Sequence, residues 1–238
     1  MDLLAVMAHP DDAELLCSGA LLRAADAGYS TGVLDLTGGE RGTSGNAGLR
    51  RTEAEHASRI LGLDERANAG LPDGALENTP AARTIVAAHI RRLRPRTVIL
   101  HWSEGRHPDH AAASALGRDA CFVAGLSRAA VEGEPFRPFK VVYALSYREE
   151  PVQPSFVVDI TDQIDRKIEA IRAFASQFDG KVALGDIFGG GDRSLYDQVR
   201  IHAAHYGSLI RRPYGEPYFC RETMRVDDLV EGLVVRTY

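Results

Sequence analysis

The chain has 238 residues, of which 45% are hydrophobic and 26% charged, with 28 Lys+Arg against 33 Asp+Glu and a net charge of −5. This composition supports a packed core and excludes an intrinsically disordered chain, and the mild acidity argues against a nucleic-acid groove, which is normally basic. Eight histidines accompany three widely spaced cysteines, so imidazole is expected to carry any metal or proton chemistry.

The N-terminus lacks the basic and apolar regions of a signal peptide, and no apolar run approaches the length of a membrane span. We therefore expect a cytoplasmic protein with reduced cysteines, no membrane segment and no nucleic-acid partner.

In chain order, strands are predicted to alternate with helices. Apolar runs of strand length predict strands at 3–8, 31–37, 67–74, 97–101, 141–147 and 156–160. Apolar periodicity and terminal glycines predict helices at 13–27, 49–61, 80–93, 111–125, 164–178 and 194–210. The glycine-rich segment 180–192 is predicted to be a mobile loop. The alternation predicts one domain with a mostly parallel α/β sheet and helices on both faces.

Polar turns rich in His and Asp follow two of these strands. His9, Asp11 and Asp12 come after the first strand, and the segment HPDH at 107–110 follows the strand at 97–101. Because the carboxyl ends of parallel strands share one edge of the sheet, the two turns should converge. His9 and Asp12 lie on one face of a helical turn. A third ligand from the second turn would complete a zinc site with its fourth position open to water.

Asp11 would then be the candidate general base for that water. Each HPD turn is also compatible with an aspartate that simply caps the next helix. The occurrence of two such turns after parallel strands favours the metal site.

These motifs, with the loop TGGERGTSG and the turn GLPDG, resemble the LmbE/PIG-L family of zinc-dependent N-acetylglucosamine deacetylases. The stretch FVVDITDQIDRKIEAIRAFASQF and the segment GEPYF are similar to the branch that deacetylates N-acetylglucosaminyl malate in bacillithiol biosynthesis. The resemblance implies a Rossmann-like deacetylase domain over residues 1–238, with a substrate-capping part from about residue 180. It also implies one zinc ion per chain, an amino-sugar substrate and a homo-oligomer, either a trimer or a hexamer.

The resemblance assigns roles to individual residues. Its zinc ligands correspond to His9, Asp12 and His110. Its base corresponds to Asp11, and His107 would stand beside the oxyanion and the leaving amine, oriented by Asp109. An exchange of roles between His107 and His110 would leave the reaction class unchanged.

Three more side chains are candidates for substrate binding: Arg50, Arg106 and Asp73. A guanidinium suits a bidentate carboxylate contact, so Arg50 is assigned to the malate carboxylate. Arg106 is predicted to be a second cation of the pocket, and Asp73 is assigned to a sugar hydroxyl. The alternatives are a solvated first-turn arginine and an ordinary turn aspartate. Residues assigned to the pocket rim or to packing are Tyr196, His202 and His205. Histidines predicted to be structural or exposed are His56, His89 and His101.

The predicted activity is hydrolysis of the acetamide of a conjugate such as N-acetylglucosaminyl malate. One alternative is a relative that acts on another N-acyl amino sugar or on a thiol S-conjugate amide. The other is a non-catalytic metal-binding or carbohydrate-binding module, which the presence of Asp11 and Asp109 disfavours. The glycine-rich loop lacks GxxxxGK[ST], so a nucleotide site is not predicted.

Overall fold

The computed structural model describes residues 1–42, 46–145, 152–179, 193–223, 225 and 227. Its strands are β1 (Leu3–Met7), β2 (Thr31–Thr37), β3 (Glu65–Leu71), β4 (Thr97–His101), β5 (Lys140–Ala144), β6 (Phe156–Asp159) and β7 (Gly215–Phe219). Its helices are α1 (Asp12–Leu16), α2 (Ser18–Asp26), α3 (Ala47–Leu61), α4 (Pro80–Leu93), α5 (Pro108–Ala124), α6 (Ile164–Arg172), α7 (Ala175–Phe178) and α8 (Leu195–Leu209).

The strands form one seven-stranded sheet in the order β3-β2-β1-β4-β5-β7-β6. The first five strands of that order run parallel, and β7 pairs antiparallel with both β5 and β6. The predicted mostly parallel α/β sheet is therefore confirmed. The order reverses at β1 and β4, which are direct neighbours. The segments that follow these two strands consequently lie side by side at the switch point, where ligands bind in open α/β sheets.

Strand β1 shows why its residues are apolar without alternation. Leu4 and Val6 pack into a core cluster with side chains of α4 and α5, while Ala5 and Met7 face a second cluster with α1 and α2. All four side chains are 0% exposed. A strand covered on both faces needs apolar residues on both. This packing fixes the position of β1, and with it the position of the residues that follow the strand.

The helix predicted at 13–27 is broken at Cys17, whose φ is −141°. The backbone N–H groups of Gly19 and Ala20, at the start of α2, both donate to the Glu216 carboxylate at 2.8 Å. Lys167 pairs with the same carboxylate at 2.8 Å and donates to carbonyls at the end of α1. The buried ion pair of Lys167 on α6 and Glu216 on β7 thus caps both ends of the break. Because both residues are distant in the sequence, the helical periodicity of residues 13–27 does not indicate the break.

Other boundaries also differ from the predictions. Helix α5 begins at Pro108 rather than at residue 111, so that its first turn includes residues of the HPDH turn. The helix predicted at 164–178 divides into α6 and α7, and β7 was not predicted. The segment 180–192, predicted to be a mobile loop, lies outside the described residues, as do residues 146–147 of the predicted strand at 141–147. No helix in the described ranges is both long and apolar enough to cross a bilayer.

Candidate active site

His9, Asp12 and His110 converge beyond the carboxyl ends of β1 and β4. Nδ1 of His9 lies 3.3 Å from Oδ2 of Asp12, and Nε2 of His110 lies 3.2 Å from Oδ1 of the same carboxylate. One donor atom from each residue lies within 4.8 Å of the other two. Zinc bonds of about 2.0–2.1 Å in a tetrahedron place neighbouring donors about 3.3 Å apart. The donor chemistry of these three residues, with one atom of each within 4.8 Å of the others, therefore suits a zinc ion.

Asp12 is the centre of this set, because its Oδ2 faces His9 and its Oδ1 faces His110. It is 5% exposed. Burial by itself would raise the pKa of Asp12, but the adjacent His110 holds it well below its ordinary value. Asp12 is consequently an anion, as a metal ligand must be.

The far side of the His9 ring faces two carboxylates. Nε2 of His9 lies 3.1 Å from Oδ1 of Asp73 and 3.1 Å from Oδ2 of Asp109. Burial lowers the pKa of His9, but the hydrogen bond and charge of Asp12 and the charge of Asp11 outweigh this and raise it to about 10, so zinc binding has to release a proton from His9. Carboxylates on the outer nitrogen of a ligating imidazole fix its tautomer and orientation. They hold Nδ1 of His9 towards Asp12.

This arrangement differs from two predicted contacts. Asp109 was expected to orient His107, yet its carboxylate lies on His9 and also accepts the N–H of Gly74 at 2.7 Å. His107 also lies close to Asp109, because its Nδ1 accepts the Asp109 N–H at 3.2 Å as the N-cap of α5, and one donor atom each of His9, His107 and Asp109 lies within 4.8 Å of the other two. Asp73, expected at a sugar hydroxyl, likewise lies on His9. His107 itself is exposed at the open side of the cluster, with its ring 5.0 Å from that of His9.

Asp11 sits just before α1 with φ 122° and ψ −25°. A non-glycine residue in such a conformation costs on the order of 1–3 kcal/mol, and such residues cluster at functional sites. Burial raises the pKa of Asp11 to about 7, although the nearby Arg50 lowers it. A carboxylate with a pKa near neutrality has the properties of a general base.

Arg50 holds this carboxylate in place. Its Nη2 donates to Oδ2 of Asp11 at 2.7 Å and its Nη1 donates to the carbonyl oxygen of Gly39 at 2.9 Å. Arg50 is 5% exposed. The guanidinium predicted to bind a substrate carboxylate is thus engaged with a carboxylate of the protein. Gly39 has φ +64°, and a Cβ there would lie 1.8 Å from Nη1 of Arg50, so only glycine fits. The other predicted cation, Arg106, is exposed on the loop before α5.

His101, which the sequence suggested was structural or exposed, belongs to this cluster. It is 0% exposed at the end of β4. Its Nε2 accepts the N–H of Ala8 at 3.0 Å and lies 3.4 Å from Oδ2 of Asp12. Its ring stacks on His110 with centroids 4.3 Å apart and planes at 18°. The available signal was its place as the last residue of a strand that runs into the HPDH turn.

The three residues singled out on the late helix make local contacts. Tyr196 donates to Asp179 at 3.1 Å and lies under the guanidinium of Arg172. The rings of His202 and His205 both lie against Tyr206, with centroids 4.8 and 4.9 Å away.

Comparisons with known proteins bear on this geometry. The family model described as GlcNAc-PI de-N-acetylase (PIG-L) matches residues 4–121, which include every residue of the cluster beyond β1 and β4. Diacetylchitobiose deacetylase of Thermococcus kodakarensis is 32% identical over 230 residues, covering 90% of this chain and 80% of that protein. A probable N-acetyl-alpha-D-glucosaminyl L-malate deacetylase 2 of Bacillus anthracis is 29% identical, covering 75% of this chain and 82% of that protein. The crystal structure of a conserved protein from Thermus thermophilus superposes with a TM-score of 0.85 at 41% identity, covering 95% of this chain and 97% of that one.

Proposed function

The chain belongs to the LmbE/PIG-L family and is a deacetylase of N-acetylglucosamine-type substrates; we propose that it hydrolyses the acetamide with a zinc ion held by His9, Asp12 and His110. The observation that carries the proposal is the convergence of His9, Asp12 and His110, with one donor atom of each within 4.8 Å of the other two, next to a buried Asp11. When bound, zinc polarises an amide carbonyl and lowers the pKa of a water molecule towards about 7.

Asp11 is the general base in this scheme. Its carboxylate accepts a proton from the attacking water as the oxygen–carbon bond forms, and it returns that proton to the nitrogen as the carbon–nitrogen bond breaks. The products are a free amine and acetate, with no covalent link to the protein. Arg50 keeps the carboxylate directed during both transfers through its 2.7 Å hydrogen bond.

His107 is assigned to the oxyanion. Because its Nδ1 accepts the N–H of Asp109, the neutral ring carries its proton on Nε2. Burial lowers the pKa of His107, which favours the neutral ring. A neutral ring at the open side of the cluster donates a hydrogen bond to the negative charge that develops on the carbonyl oxygen.

For the aglycone we favour malate, as in N-acetylglucosaminyl malate, with Arg106 as its cation. The relative in Bacillus anthracis and the exposure of Arg106 beside His107 support this choice. Diacetylchitobiose is the second candidate. The relative in Thermococcus kodakarensis spans 90% of this chain, and the engagement of Arg50 with Asp11 removes the cation that was predicted to bind the malate carboxylate.

A substrate panel tests both levels of the proposal. Acetate and free amine would be measured with zinc-loaded protein on N-acetylglucosaminyl malate, diacetylchitobiose, N-acetylglucosamine and a thiol S-conjugate of an N-acyl amino sugar. We expect turnover of the malate conjugate at the highest kcat/KM. Arg106→Gln should raise KM for that substrate alone, whereas Arg50→Met should lower kcat for every substrate that is turned over. Failure of zinc-loaded protein on all four substrates would refute the deacetylase mechanism, and a preference for diacetylchitobiose would refute the malate assignment.

A further inference from the structure

His101 touches the segments that carry all three candidate ligands. Its Nε2 accepts the N–H of Ala8, the residue directly before His9, at 3.0 Å. The same atom lies 3.4 Å from Oδ2 of Asp12. Its ring stacks on the ring of His110 at 4.3 Å. One buried side chain thus contacts the segment after β1, the start of α1 and the first turn of α5, which carry the three candidate ligands.

The hydrogen bond from Ala8 fixes the state of the ring. A backbone N–H can only donate, so Nε2 of His101 must carry a lone pair and the proton of the neutral ring must be on Nδ1. Nδ1 is buried and has no hydrogen-bond partner among the described residues. Nε2 therefore cannot also donate to Asp12, and its contact with that carboxylate is one of packing.

A role in core packing alone would not require a histidine at this position. A buried polar atom without a partner costs stability, and an apolar residue of similar shape would avoid that cost. What a histidine supplies here, and Phe or Leu would not, is the acceptor for the Ala8 N–H. That acceptor holds the backbone at Ala8, and thereby the position of His9, which follows it.

We propose that His101 is a positioning residue of the metal site, which holds His9 through the Ala8 hydrogen bond while its ring packs on His110. This inference rests on the zinc site proposed above. It does not make His101 a ligand, because the lone pair of Nε2 is directed at Ala8. Loss of residues that orient the ligands of a metal typically weakens binding about 10–100-fold.

The test measures zinc affinity by competition with a chelating dye, together with the visible absorption spectrum of the Co(II)-substituted protein. His101→Phe keeps a ring against His110 and removes the acceptor. His101→Gln places an amide oxygen near the position of Nε2 and removes the ring. Val86→Ala is the control, because Val86 is 0% exposed in the core on α4, so that its truncation lowers stability while the acceptor for the Ala8 N–H and the ring on His110 both remain.

We expect His101→Phe to weaken zinc binding at least about 10-fold and to change the Co(II) spectrum. His101→Gln should recover most of the affinity, and Val86→Ala should keep the wild-type affinity and spectrum despite its lower Tm. Wild-type affinity and spectrum in His101→Phe would overturn the inference, as would equal losses in the Phe and Gln variants.

Should His101→Phe not fold, the comparison of His101→Gln with His101→Asn replaces it. The shorter amide of Asn cannot reach the Ala8 N–H, so it should lose the affinity that Gln retains. If the wild-type protein itself binds no zinc, the proposed function fails and not only the role of His101.

Discussion

Replacing Gly39 by alanine should displace the side chain that holds Asp11 without altering either partner. Gly39 has φ +64°, and a Cβ at this position would lie 1.8 Å from Nη1 of Arg50 and 2.7 Å from its Cζ. No rotation of the new methyl group relieves an overlap of this size. Arg50 must therefore leave its place between the Gly39 carbonyl and the Asp11 carboxylate.

The structure offers a matched control for the backbone part of this change. Gly62 ends α3 with φ +65°, and nothing lies within 4 Å of a Cβ built there. Alanine in a left-handed conformation costs roughly 1–2 kcal/mol. Gly62→Ala should therefore cost about that amount, or a few degrees in Tm for a chain of this length.

Gly39→Ala carries the same backbone cost and in addition breaks a buried ion pair. Breaking such a pair typically costs about 3–5 kcal/mol. The expected total is about 4–7 kcal/mol, and the lowering of Tm should be on the order of 10 °C or more. Because the base loses its orientation, kcat/KM should fall about 100-fold or more.

Both variants would be compared by thermal unfolding, by zinc content and by acetate release. The expected pattern is a stable and fully active Gly62→Ala protein beside a weakened Gly39→Ala protein that still binds zinc through His9, Asp12 and His110. Wild-type activity in Gly39→Ala would show that Arg50 does not position Asp11. Equal losses of stability in the two variants would refute the expected displacement of Arg50.

Three further outcomes are expected. Glu216→Gln should lower the free energy of unfolding by about 3–5 kcal/mol in urea titrations, because it removes the carboxylate that pairs with the buried Lys167 ammonium. Lys167→Met in the same chain should recover part of this loss, and a cost of Glu216→Gln below about 1 kcal/mol would contradict the prediction. Zinc at 100 times its Kd should stabilise the wild-type protein by about 2.7 kcal/mol in thermal unfolding, a gain that a chelator removes, and a Tm that zinc leaves unchanged would argue against the site. Asp109→Asn should weaken zinc binding about 10–100-fold in dye competition because it weakens the partner of His9 Nε2, whereas unchanged affinity with a lower kcat would favour the predicted contact with His107.

The sequence predicted the parts of the site that follow from strand topology. Two turns after parallel strands must share an edge of the sheet, and this placed His9 and Asp12 beside the HPDH turn before any side chain was located. The choice of His110 within that turn came from the resemblance to the family. One detail differs from the prediction: α5 begins at Pro108, so His110 lies on a helix rather than in a loop. The core strands were predicted for the same reason, because a strand covered on both faces is apolar throughout.

The pairing of side chains was not predictable in the same way. The carboxylates of Asp109 and Asp73 contact His9, and the guanidinium of Arg50 contacts Asp11. Loops distant in the sequence bring these groups within hydrogen-bond distance. The histidine at the end of β4, His101, gave no local signal beyond its position. Such contacts depend on how far neighbouring strands extend at this edge of the sheet. The residue pattern of a single strand does not carry that information.

The most direct test of the mechanism is a zinc titration of acetate release from an N-acetylglucosaminyl conjugate, run in parallel on wild-type protein and Asp11→Asn. The metal-free wild-type protein should be inactive and should reach full activity at one zinc ion per chain. Asp11→Asn should bind the same amount of zinc yet release acetate about 100–10,000-fold more slowly. Full activity without metal, or full activity in Asp11→Asn, would contradict the mechanism.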